Sequence, residues 1–482
     1  MCAFERSFFM ITVKEKIKRF FGGIVFDRAY KYVKDDPAEN IVKLIDFGQK
    51  LMGSDFPVKN YDSFRKAVRD PENVWNHFAQ SVINECDRDY LKKMLLALGI
   101  GAGINGTKTV RANREKYHCN IPFLILFDPT SACNMNCKGC WSAEYGHKSS
   151  LTLDDMRSIV SQGTALGTHV YMLTGGEPLI RKDDIFTVAE ENPNCMFLAY
   201  TNGTLIDDDF CRKMKELGNV TVAVSIEGGE ACTDSRRGKG AYNQAIKSLD
   251  LLKSYGLIYG ISICYTSQNV EDATSEEFLD LMVEKGVKFA FYFNYMPVGH
   301  NADTSLIPRP DQRVHMYSWL RRVRNTKTGK PMFFMDFQND AEYVGGCIAG
   351  GRNYFHINSE GDMEPCVFIH YSDSNIHKNT LLEGLQSPLF MAYYKNQPFN
   401  DNHLRPCPML ENPQYLRMMI NQTGAQSTDL IEKESVETLC AKCDTFAAQW
   451  QPIADKLWSE TVHKKTHTSY YRDSREAKNE KQ

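Results

Sequence analysis

Between Pro122 and Gly299 the chain alternates strand-like and helix-like segments without a break, and this pattern limits its fold more than any other feature. The run IPFLILFD is short and wholly apolar until its last residue, as a buried strand is. Helical periodicity follows over 151–167, 182–192, 207–218, 241–256 and 275–286. Between and after these lie strand-like runs over 169–175, 195–203, 220–228, 257–266 and 287–299. Six strands joined through helices require right-handed crossovers and therefore a parallel sheet, open or closed into a barrel. In such a sheet the working residues stand at the C-terminal ends of the strands and in the loops that follow.

The flanks differ from this centre. A chain of 482 residues exceeds a single core, so two or three domains are expected. Residues 1–112 predict an all-helical N-terminal domain, because PAENIVKLIDFGQKLMG and RDYLKKMLLALGIGAGING carry apolar residues at i, i+3, i+4 and end at Gly. Residues 113–335 are the expected barrel, 336–455 a small loop-rich cysteine domain, and 456–482 a charged tail. The first helix, roughly residues 11–26, sets Lys14, Lys16, Lys18 and Arg19 against Ile17, Phe20, Phe21 and Ile24. A helix of that kind packs on its own protein or makes a peripheral membrane contact.

A net charge of -3 advertises no nucleic-acid surface. No apolar run approaches the ~20 residues that span a bilayer, and the charged opening does not read as a signal peptide. The expected location is cytoplasmic. There the fifteen cysteines are read as metal ligands, catalytic groups or small hydrophobes rather than disulfides.

Three of them, Cys133, Cys137 and Cys140, are spaced C-x3-C-x2-C directly after the first strand. Zinc would want four ligands, commonly from paired C-x2-C elements, and no second pair lies nearby. Soft thiolates suit iron–sulfur chemistry, and three of them can hold three irons of a 4Fe–4S cluster, leaving one iron open.

With Gly175-Gly176-Glu177-Pro178 after the second strand, this loop resembles the radical S-adenosylmethionine (SAM) superfamily across the whole six-strand segment. The resemblance implies a partial (β/α)6 TIM-like barrel and SAM chelated at the open iron. It further implies one-electron cleavage to a 5′-deoxyadenosyl radical that abstracts hydrogen from a substrate, with an electron donor such as flavodoxin or ferredoxin. By the same resemblance GGEP takes the methionine amino group, Ser225 and Glu227 the ribose, and Arg237 (or Arg236) the SAM carboxylate. The resemblance also implies that Asn202 points into the site and that Gly260 admits adenine. Relatives place an aromatic before the third cysteine; Gly139 stands there instead, and Trp141 or Tyr145 is the expected cover. For Tyr292 and Asn294 on the sixth strand, substrate contact and core packing are both open.

Further along, CIAGGRNYFHINSEGDMEPC reads C-x13-G-x4-C, followed by Cys407 and the pair Cys440 and Cys443. This resembles the SPASM or twitch extension that holds auxiliary iron–sulfur clusters. Five cysteines favour one auxiliary 4Fe–4S cluster, held by Cys347, Cys366, Cys440 and Cys443 with Cys407 as alternate; a zinc site is the competing reading. The substrate implied is a peptide or protein side chain, with a lipid chain as alternative. A non-catalytic electron-transfer protein is the remaining class, and it would need neither GGEP nor the barrel.

Overall fold

The computed structural model describes residues 22–24, 26, 27, 30, 37–52, 58–299 and 302–461. Most of the amphipathic segment 11–26, His300, and the tail beyond 461 lie outside them. So does most of what the membrane-contact expectation rests on. Among the described residues no helix is long and apolar enough to cross a membrane.

The expected strands form, in order, β1 Leu124–Thr130, β2 Val170–Gly175, β3 Met196–Thr201, β4 Val220–Ser225, β5 Gly260–Tyr265 and β6 Phe289–Asn294. Three more strands extend them into one nine-stranded sheet: β7 Phe333–Asp336, β8 Tyr354–Ile357 and β9 Met363–Glu364. Its order is β7-β6-β5-β4-β3-β2-β1-β8-β9. β1 to β8 run parallel and only β9 is antiparallel to its neighbour. β7 and β9 do not pair, so the sheet curls without closing.

Local chemistry sets the crossovers. The helix Leu153–Leu166 starts with a Thr152–Asp155 capping box and stops at Gly167 in the left-handed region. Period-two alternation then splits each strand between two cores. On β6, Phe289, Phe291 and Phe293 face inward toward Leu198, Tyr200, Met172 and Phe337, while Ala290 and Tyr292 join the core under the helices. Tyr292 donates its hydroxyl to the Ala273 carbonyl and packs on Trp319, so it is a core residue.

The N-terminal helices dock beneath the sheet. Tyr90 is fully buried and donates to the Val220 carbonyl at the start of β4. The stretch predicted as one helix over RDYLKKMLLALGIGAGING divides into an α-helix, Arg88–Leu95, and a π-helix, Leu96–Gly106. Two of its glycines are required by close approach of other backbone. A Cβ on Gly101 would fall 2.0 Å from the Asn194 carbonyl oxygen, and one on Gly106 2.7 Å from that of Gly167. The backbone therefore lies directly against the loops entering β3 and β2.

The C-terminal segment is more helical than its Gly, Pro and Asn content suggests. Helices run over Leu381–Leu385, Pro388–Asn396, Pro413–Thr423 and Val436–Glu460. Pro388 and Pro413 occupy first-turn positions, where a missing N–H costs nothing, so they start helices instead of breaking them. These helices enclose a core of Leu389, Tyr393, Leu410, Leu416, Met419 and Trp450.

Candidate active site

At the C-terminal ends of the strands lies a cavity of about 250 Å³. The cysteine loop forms one wall. It is pinned on both sides: Ser131 Oγ takes up Ser149, and His147 Nδ1 lies 2.8 Å from the Ser131 carbonyl oxygen. Cys133, Cys137 and Cys140 line the cavity half-buried, and the Met135 N–H points at Cys133 Sγ at 3.4 Å. Burial pushes the Cys133 thiol up to about 11. Among the described residues no three metal-ligating side chains converge on a single ion. A cluster whose thiolates bond to different irons asks for that spread, together with soft donors and N–H groups on sulfur, so the residues present fit it.

The GGEP loop is bonded to this wall through its backbone. Gly176 N–H donates to the Thr130 carbonyl and Glu177 N–H to that of Ala132. A Cβ on Gly176 would sit 2.1 Å from the Ala132 oxygen, so only glycine permits the contact. Gly175, Gly176 and Glu177 line the cavity; Pro178 is buried outside its lining, at the head of a short 3₁₀ turn. The Glu177 carboxylate already accepts from Thr201 Oγ1, Asn202 N–H and Leu179 N–H, which ties β2 to β3. Asn202 lines the cavity and donates to Asn134 Oδ1 on the cysteine loop.

Opposite stand Ser225, Ser262, Cys264, Arg236 and Arg237. Glu227 is completely buried behind them, with Oε1 at 2.5 Å from Arg236 Nη1 and 2.7 Å from Arg237 Nε. Its Oε2 accepts the Cys264 N–H. One carboxylate thus serves two guanidiniums, and this wall carries net positive charge. Gly260 is not brought to the site. It begins β5 at the far end of the strand, where a Cβ would strike the Phe289 ring at 2.2 Å.

The departure at Gly139 is answered by a residue the sequence reading passed over. Gly139 has φ +65, and a Cβ there would lie 2.7 Å from the ring of Tyr295, just past β6. Tyr295 and Trp141 both line the cavity. Tyr145 does not; it is buried and donates to Glu364. An aromatic immediately after a strand's C-terminal end was the available signal.

Behind Trp141 lies a polar network with no counterpart in any motif. Glu364 accepts from Tyr145, Asn358 and Thr428, and lies 2.7 Å from His356 Nδ1. His356 Nε2 is 3.0 Å from Asp128 Oδ1 on β1. Burial alone would depress the His356 imidazole, but Asp128 and Glu364 on its two sides push it up to about 10. His370 stacks on Tyr145 at 4.6 Å and pairs with Asp429 at 2.6 Å. The Trp141 ring stands edge-on to His356 and His370.

The same cavity reaches Cys347, Cys366 and Cys407. Cys366 Sγ is 2.9 Å from the Tyr354 hydroxyl, and Cys407 Sγ faces the N–H groups of Met409 and Leu410 at 3.4 Å each. Cys440 and Cys443 lie deeper, fully buried in the core around Tyr393.

Comparison with known proteins agrees with this geometry. Residues 127–282 match the radical SAM superfamily model. The AdoMet-dependent heme synthase of Methanosarcina barkeri is 25% identical over 290 residues, 55% of this chain and 82% of that protein. The mycofactocin maturase MftC of Mycolicibacterium smegmatis is 27% identical over 276 residues, 55% of this chain and 69% of that one. In fold, the crystal structure of Streptococcus suis SuiB bound to precursor peptide SuiA superposes with a TM-score of 0.54 at 17% identity, over 68% of this chain and 79% of that chain. With the cysteine loop and the GGEP loop both inside the matched span, residues 127–282 form a radical SAM domain, and the chain that carries it is an enzyme.

Proposed function

We propose that this enzyme uses a hydrogen-abstracting radical on a peptide or protein side chain. The observation that carries the reading is one apolar cavity bounded at one end by Cys133, Cys137 and Cys140 and at the other by Cys347, Cys366 and Cys407. When bound at Cys133, Cys137 and Cys140, a 4Fe–4S cluster would supply the single electron for reductive cleavage of SAM.

The chain's own residues hold and shelter that chemistry. Cys133, Cys137 and Cys140 would hold the cluster, and the backbone of Gly175, Gly176 and Glu177 would face the methionine part of SAM. Arg236 and Arg237 share Glu227 and keep charge to spare, which suits the SAM carboxylate. Ser225 and Asn202 offer hydrogen bonds to the sugar and its surroundings. Rings of Trp141, Tyr200, Phe293, Tyr295 and Phe337 exclude water from the reacting atoms.

For an auxiliary 4Fe–4S cluster, Cys407 rises from alternate to a preferred ligand. It shares the cavity face with Cys347 and Cys366 and has two N–H groups on its sulfur, while Cys440 and Cys443 offer the fourth ligand from the core side. A peptide substrate is favoured by what MftC and the SuiB complex are named for, and a flavodoxin or ferredoxin would deliver the electron.

Anaerobic reconstitution with iron and sulfide, then SAM and dithionite, tests this. The expected result is about eight irons per chain for two such clusters, with 5′-deoxyadenosine formed. Cys137→Ala should abolish the product, and Cys407→Ala should lower the iron content. No 5′-deoxyadenosine from protein with its cluster intact would sink the enzyme reading.

A further inference from the structure

One wall of the cavity carries two side-chain amides with unpaired oxygens. At the ends of β6 and β7 stand Asn294 and Gln338, both more than nine-tenths buried and both lining the cavity. Among the described residues, Asn294 Oδ1 and Gln338 Oε1 have no hydrogen-bond partner. Buried polar atoms are nearly always paired, so two orphaned acceptors on one wall mark a place where something else binds.

Their orientation is determined by their neighbours. Asn294 Nδ2 donates to the Tyr295 carbonyl, which can only accept, so it is Oδ1 that remains unpaired. Gln338 Nε2 reaches only the Met296 thioether at 3.9 Å, a weak acceptor, and so keeps donor capacity beside its free oxygen. Around them the wall is aromatic: Phe293 stacks on Phe337 at 4.5 Å, and Tyr200 meets Phe293 edge-on at 5.7 Å. Neither β6 nor β7 contributes an ionised group to the lining; the cationic pair, Arg236 and Arg237, stands on the helix after β4 and is engaged with Glu227.

We infer that Asn294 and Gln338 recognise the backbone amide of a peptide whose neighbouring side chain, large and apolar or aromatic, packs against Phe293, Phe337 and Tyr200. This rests on the peptide reading of the site and adds the residues that select for it. Asn294 Oδ1 accepts the peptide N–H, and the Gln338 carboxamide both accepts an N–H and donates to a C=O. A carboxylate in the same place could accept from Gln338 Nε2 but would leave both acceptor oxygens unpaired, so the wall favours an amide over an anionic aromatic molecule. Leaving either oxygen unpaired costs binding, which is how a polar site rejects a ligand lacking the matching group.

The probes are N-acetylphenylalanine N-methylamide and 3-phenylpropionate, titrated by saturation-transfer NMR into the reconstituted full chain with SAM present. The capped amide is expected to bind at least tenfold more tightly than the carboxylate. Asn294→Leu and Gln338→Met, near-isosteric and apolar, should each weaken it about five- to tenfold while thermal midpoint and iron content stay at wild-type values. Equal affinity for both probes, no binding of the capped amide at millimolar concentration, or unchanged affinity in both variants overturns the proposal. Discrimination between the probes in a protein that forms no 5′-deoxyadenosine would leave the amide site standing and remove only the radical chemistry.

Discussion

Gly139 and Tyr295 define the cover over the cysteine loop, and the contact leaves no room for a methyl group. Gly139→Ala must push the Tyr295 ring aside and also adopt a left-handed backbone, at a cost of about 1–3 kcal/mol. The expected outcome is slower iron incorporation, followed by the cluster's visible absorption, with partial recovery in the Gly139→Ala/Tyr295→Leu double variant. His356 gives the clearest pH dependence. Its folded-state value of about 10 stands above the ~6.5 of a free imidazole, so the ion-paired imidazolium stabilises the fold. That contribution is complete below pH ~6.5 and is lost as pH rises toward 10. Thermal midpoints measured from pH 6 to 10 should fall across this window, and His356→Gln should be less stable at pH 6 with a flatter profile. The sequence carried one signal for Tyr295, an aromatic just past β6, but nothing that paired it with Gly139, and none for the partners of His356. Tyr295 follows Gly139 by 156 positions, and the ligands of His356 lie on β1 and β9, with no spacing that ties them together.

At the scale of elements, the cysteine loop and the GGEP loop form one hydrogen-bonded unit, and Gly176 is its closest point. Gly176→Ala places a Cβ against two backbone oxygens that no rotamer change can move, at 2.1 Å (Ala132) and 2.4 Å (Ser131). SAM affinity, measured by calorimetry on reconstituted protein, should fall at least tenfold, with far-ultraviolet circular dichroism unchanged. Both loops were readable from the chain, because short-range spacing specifies them and each follows a clear apolar strand. Alternation groups Tyr292 with Asn294 on β6 but leaves open which face looks inward. The structure divides the pair, with Tyr292 bonded in the core and Asn294 at the strand end lining the cavity. The π-helix was not readable, because its glycines read as helix stops; their meaning comes from Asn194 and Gly167, which reach them only in the folded chain.

Across the whole molecule the C-terminal core is fastened to the helices of the open sheet through Arg313 and Glu411. Both are fully buried at 3.1 Å, and the guanidinium also lies over Trp450 at 4.9 Å. Glu411→Leu leaves a buried cation without its partner and should cost about 3–5 kcal/mol, read as a lower urea midpoint. Arg313→Met/Glu411→Leu should regain most of that loss, since matched apolar groups replace a pair that was expensive to desolvate. The helical content of this region stayed hidden because prolines at first-turn positions look the same in sequence as prolines in loops.

The placement of β8 has a consequence in time. β1, which leads into the cysteine loop, lies between β2 and β8 in the finished sheet, paired with β8 from Leu124↔Tyr354 to Phe127↔Ile357. During synthesis β2 follows at once, whereas β8 emerges about 230 residues later, roughly 10–45 s at ordinary elongation rates. For that interval the far edge of β1 is an open, apolar ribbon next to the three loop cysteines, the kind of edge that pairs with the wrong partner. The nascent chain therefore passes through a stage at which protection from aggregation and from premature oxidation is needed at the same place.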